Sequence, residues 1–79
     1  METVKLKHPV TIGGEEILEL NLRRPRVRDQ LAAEKGGANN AEKEVRLFAN
    51  LCEVAPAVIE ELDLADYRAI QEVYSGFLS

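Results

Sequence analysis

Hydrophobic and polar residues alternate strictly at the start of the chain. Val4, Leu6, His8, Val10 and Ile12 fall on even positions, with Lys5, Lys7, Pro9 and Thr11 between them. A period of two is the signature of a strand with one buried face. After Gly13-Gly14 the alternation resumes as Leu18, Leu20 and Leu22 against Glu15, Glu19 and Asn21, so the two runs predict a β-hairpin. A three-residue turn, Ile12-Gly13-Gly14, places Leu6 opposite Leu20 and Val4 opposite Leu22, with Gly14 at the positive-φ bulge position, and makes the two apolar faces coincide. A two-residue turn would set Val10 opposite Ile17 and put the leucines on the lysine face, which argues against it because a one-residue slip inverts a whole strand.

From Pro25 onward the period changes to that of helices. Pro25 suits a first helical turn, and a short helix is expected to run to about Lys35 with Val27 and Leu31 inward and Gly36-Gly37 as its terminator. The loop Ala38-Asn39-Asn40 supplies a cap for a longer helix in which Ala41, Val45, Phe48, Leu51 and Cys52 form the apolar stripe. That helix is predicted to stop at Ala55, and Pro56 to open a short turn carrying Val58, Ile59 and Leu62. Asp63 then caps the last helix, with Asp66 at its third position as in a capping box and Leu62 and Tyr67 as a hydrophobic staple. Its stripe comprises Leu64, Tyr67, Ile70, Tyr74 and Phe77, widened by Val73 and Leu78. The expected fold class is α+β, an N-terminal β-hairpin followed by three to four short-to-medium α-helices. With 79 residues, the chain is expected to form a single domain over 1–79.

Composition narrows the function. One Cys and one His make neither an internal disulfide nor a four-ligand zinc site, so no metal or cofactor is expected. The N-terminus lacks the layout of a signal peptide, and no apolar run approaches the roughly 20 residues that cross a bilayer. With an unpaired thiol this suggests a cytoplasmic protein with no membrane partner. Net charge is −4, but residues 1–35 carry +1 and residues 36–79 carry −5. Arg23, Arg24, Arg26 and Arg28 crowd into six positions of the less acidic part. An acidic chain with one compact basic patch is a poor general ligand for nucleic acid, and none is expected.

Catalytic groups are lacking in the pattern. His8 sits on the expected inner face of a strand, and Cys52 lies on the inner stripe of the long helix with nothing basic a helical turn away. The carboxylate pairs Glu15-Glu16 and Glu60-Glu61 diverge as sequence neighbours, while Asp63 and Asp66 have capping roles. Neither Gly-Gly pair has the lysine of a phosphate loop. The arginine cluster remains as a candidate binding rim. Arg24 and Arg28 lie near one another and Arg26 points elsewhere, and without interleaved aromatics the rim suits an acidic amphipathic helix better than a phosphate backbone. Tyr74 and Phe77 are the aromatic anchors expected to join it.

Leu6-Lys7-His8-Pro9, Gly14-Glu15-Glu16, Leu20-Asn21-Leu22-Arg23-Arg24-Pro25 and Leu31-Ala32-Ala33-Glu34-Lys35 together resemble the small tail assembly chaperones of Mu-like and P2-like contractile-tailed phages. Ala49-Asn50-Leu51-Cys52, Glu61-Leu62-Asp63-Leu64-Ala65-Asp66-Tyr67 and Phe77-Leu78 are similar to the family's second half. The resemblance implies a non-catalytic protein, without cofactor, that binds the phage tape-measure protein in the host cytoplasm of an infected or lysogenic cell. It implies that the client stays soluble until tail-tube subunits polymerise around it, and that the chaperone is absent from the mature virion. It leaves open contacts with the tail-tube protein and self-association as a homo-oligomer. The competing reading of the residues alone is a small regulatory protein, a repressor accessory or antirepressor, whose arginines meet an acidic partner or DNA.

Overall fold

The structure, a computed structural model, describes residues 1–36 and 39–79. Two strands, β1 (Glu2–Ile12) and β2 (Glu15–Leu22), form an antiparallel hairpin. Four helices follow: α1 (Val27–Glu34), α2 (Asn40–Cys52), α3 (Pro56–Glu60) and α4 (Leu64–Phe77). The fold is therefore α+β, as the periodicity predicts. One sheet face carries Val4, Leu6, Val10, Leu20 and Leu22 into a core shared with Phe48, Leu51, Ile59 and Ile70 from the helices.

The hairpin reaches that arrangement by a different route from the expected three-residue turn. Only Gly13 and Gly14 form the turn, both at positive φ (58° and 81°), the requirement of a two-residue type I′ loop. Val10 consequently pairs with Ile17, and Ile12 with Glu15. Further along, Val4 pairs with Leu20 and Glu2 with Leu22, so the expected pairings of Leu6 with Leu20 and Val4 with Leu22 do not form. Between the two registers, the four residues Leu6 to Pro9 of β1 stand against the single residue Leu18 of β2. An odd number of extra residues reverses the parity of the pairing, which is what a bulge does. Leu6 and Leu20 thus share the buried face after all, and Lys5 and Lys7 stay in water. The bulge has two further effects. It turns His8 to the surface instead of the inner face, and it leaves Leu18 exposed.

Asp66 holds the bulge. Its carboxylate, buried to 2% exposure, accepts the backbone N–H of Lys7 at 2.9 Å and of His8 at 3.0 Å. Pro9, which has no N–H to offer the ladder, sits where none is needed. Burial alone would raise the Asp66 carboxyl, but the Lys7 and His8 N–H groups outweigh it, with help from the charges of those residues, and its pKa is lowered. The expected capping box is thereby corrected: Asp63 alone caps α4, accepting from the Ala65 N–H at 2.9 Å, while Asp66 reaches across to the hairpin.

The remaining helix boundaries have local causes. Asn39 caps α2 by accepting from the Glu42 N–H, one residue earlier than Asn40, the end of the expected capping loop. This helix stops at Cys52 instead of Ala55 because Glu53 adopts the left-handed conformation at φ 57° and closes it. Pro56 opens α3 as expected. Gly36, at φ 89°, turns the chain after α1; Gly37 and Ala38 lie outside the described residues.

Candidate protein-interaction surface

The arginine-rich segment links β2 to α1 and is fixed at both ends. Arg23 donates its backbone N–H to the Leu51 carbonyl of α2 at 3.1 Å, and its guanidinium forks onto Asp29 with contacts of 2.9 and 2.7 Å. Asp29 is buried to 3% exposure and also accepts the Arg26 N–H at 2.8 Å. A bidentate pair of this kind fixes geometry as well as charge. The Arg23 hydrogen bonds hold the Asp29 carboxyl down to about 2 against the opposing effect of burial, with Arg26 and the Arg28 charge adding to them. Arg23, one of the expected rim residues, therefore holds the fold.

That pair also sets which way α1 faces. Asp29 and Ala33, four residues apart, are its buried side, and small Ala33 lies against the core. Val27 and Leu31 were expected inward and instead lie outward, at 78% and 61% exposure. The physical reason is that Asp29 is required by Arg23, and a helix of eight residues cannot bury both pairs.

Arg24 joins the two halves of the expected site. Its guanidinium lies 5.4 Å from the centre of the Phe77 ring and donates to the Phe77 carbonyl at 3.2 Å. The contact combines a cation–π interaction with a charge at a helix C-terminus, both favourable. Glu2, Val73 and Gly76 line a shallow recess around it. Arg26 and Arg28 are exposed, and among the described residues neither they nor Arg24 have a carboxylate within 4.0 Å.

The two aromatic anchors differ in role. Phe77 is half-buried under Arg24, with exposed Leu78 beside it. Tyr74 packs its ring edge on buried Phe48 at 5.5 Å, and Tyr67 packs on the same ring at 5.5 Å while donating its hydroxyl to Glu44. Tyr74 thus supports the core and shows one edge in a groove with Gln30, Ala33 and Leu47. Burial and the Glu44 carboxylate raise the Tyr67 phenol.

Cys52 is buried and its thiol is pushed up by burial to about 11, the reverse of an activated nucleophile. Among the described residues no three metal-ligating side chains cluster. Among the described residues no helix is long and apolar enough to cross a membrane.

The chain matches, over residues 3–79, the family described as "Phage tail assembly chaperone proteins, E, or 41 or 14". It belongs to the phage tail assembly chaperone family. The match takes in nearly all of the hairpin and all four helices, including every arginine and aromatic residue of the surface just described. A role in phage tail assembly follows from membership, and a chaperone's work suggests a non-catalytic protein that meets other tail proteins. No curated protein and no solved structure matches the chain.

Proposed function

We propose that this chaperone acts as one domain over residues 1–79 that binds the tape-measure protein of a phage or prophage. It keeps the client soluble in the host cytoplasm until the tail tube polymerises, and stays out of the virion. The family match over residues 3–79 carries the proposal. The joined surface supports it. Arg24 and Phe77 present a cation and an aromatic face together, with Arg26, Arg28 and an edge of Tyr74 nearby in the chain, and Arg23 holds the segment in place. Arg and aromatic side chains are the groups that dominate protein interfaces. An apolar helical client is the partner such a surface serves, and the regulatory reading has no observation of its own beyond the arginines.

The test is complex formation between the purified chaperone and the long helical tape-measure protein made with it. Co-elution on gel filtration, weakened by Phe77→Ala and little changed between low and moderate salt, is the expected result. Separate elution, or a complex lost steeply with salt as phosphate contacts would be, rejects the reading.

A further inference from the structure

The outward side of α1 was not expected from the sequence and is not used by the contacts described above. Val27 and Leu31, at 78% and 61% exposure, are separated by one helical turn and form a short apolar ridge. Arg28 flanks the ridge and Arg26 stands at its N-terminal end, both exposed and both without a carboxylate partner among the described residues. The nearby carboxylate, Glu34, is bonded to Lys43 at 2.7 Å and so carries little free charge toward the ridge. Elsewhere the chain is acidic, with a net charge of −5 over residues 36–79.

From this we infer that the outward face of α1, Val27 and Leu31 with Arg26 and Arg28, is a docking site for an amphipathic helix whose apolar stripe is flanked by Asp or Glu. Complementary charge selects the partner. A ridge of two apolar residues takes two successive anchors of a partner helix, and the unpaired guanidinium groups meet the carboxylates beside them. The acidic remainder of the chain repels the same partner, which confines it to this face. Nucleic acid would satisfy the arginines but would leave Val27 and Leu31 against phosphate, with nothing gained from their burial. An interface this small is weak by nature, which suits a client that must later be released.

The inference rests on the chaperone reading only for the identity of the natural client. Its test uses a fluorescein-labelled designed helical peptide with leucines at i, i+4 and i+7 and glutamates on both flanks. A sister peptide with lysines for the glutamates and a short DNA duplex serve as competitors. Anisotropy should show the Glu peptide binding, and Leu31→Asp and the Val27→Ser, Leu31→Ser pair should each weaken it about tenfold or more. Arg26→Glu with Arg28→Glu should weaken it and flatten its salt dependence. Because the substituted side chains are exposed, an unaltered circular dichroism spectrum and melting midpoint will show that each variant is folded. Equal binding to the Leu31→Asp variant, equal competition by the Lys peptide, displacement by the duplex, or no binding overturns the inference. So does concentration-dependent self-association abolished by Leu31→Asp, which would assign the ridge to a second copy. Solubilisation of the natural client by the Leu31→Asp variant at wild-type level would overturn the docking site and leave the chaperone function standing.

Discussion

Replacing Asp66 with Ala removes an acceptor that two backbone donors of the β1 bulge share. The carboxylate is 2% exposed and its contacts with the Lys7 and His8 N–H groups are 2.9 and 3.0 Å. Hydrogen bonds to a charged group contribute about 1.5–3 kcal/mol each, and a buried donor left unpaired costs about 1–3 kcal/mol. Lys7 and His8 are themselves exposed, so water can reach their N–H groups after the substitution and the loss falls in the lower part of that range. About 2–4 kcal/mol is expected for the pair, a large share of the roughly 4–12 kcal/mol that 79 residues ordinarily provide. In a domain of this size that lowers the melting midpoint by roughly 10–25 °C. Asp66→Asn keeps one acceptor oxygen and should lose about half as much. Urea titration followed by circular dichroism reads the stability, and amide exchange at Lys7 and His8 should accelerate in parallel. A Asp66→Ala variant within about 0.5 kcal/mol of the wild type, with those amides still protected, would refute the role of Asp66 as the clamp of the bulge.

Asp63→Ala should cost about 0.5–2 kcal/mol through loss of the α4 cap, measured by the same titration. Acid should destabilise the protein in a defined window. Asp29 and Asp66 both hold their protons less readily when folded, so below about pH 4 the unfolded chain takes up protons first and stability falls as pH falls toward 2. Above that window their contribution is complete, and for Asp29 it amounts to roughly 2 kcal/mol. Asp29→Asn should flatten the acid limb of a stability-against-pH curve; an unchanged limb would reject this assignment. Native Cys52 should resist a thiol reagent at neutral pH and react only on unfolding, because its thiol is buried and raised to about 11.

The hairpin, the Pro56 start of α3 and the Asp63 cap of α4 could be read directly because each rests on a local signal. The hairpin's register could not. Even-position counting assumed an unbroken strand, while Gly13-Gly14 imposed a two-residue turn and the bulge at Leu6 to Pro9 restored the match of faces. Pro9 within an alternating run was the visible trace of that bulge. Orientation of α1 was hidden for a different reason. Its two apolar residues lost to a tertiary pair, Arg23 with Asp29, whose spacing of six residues has no helical meaning until the chain turns. The surface itself was legible as a list of residues but not as a place: Arg24 and Phe77 are 53 residues apart and meet only in the folded chain. Glu53, a non-glycine residue in the left-handed region, ended α2 with no sequence signal to mark it.

The central claim is that this chain keeps a tape-measure protein in solution. The direct measurement is the soluble fraction of that long helical protein, expressed in the same cells with the chain, without it, and with the Phe77→Ala and Leu31→Asp variants. A soluble fraction that rises with the wild-type chain and falls back with the two variants is the predicted result. A tape-measure protein equally soluble in the absence of the chain would contradict the account.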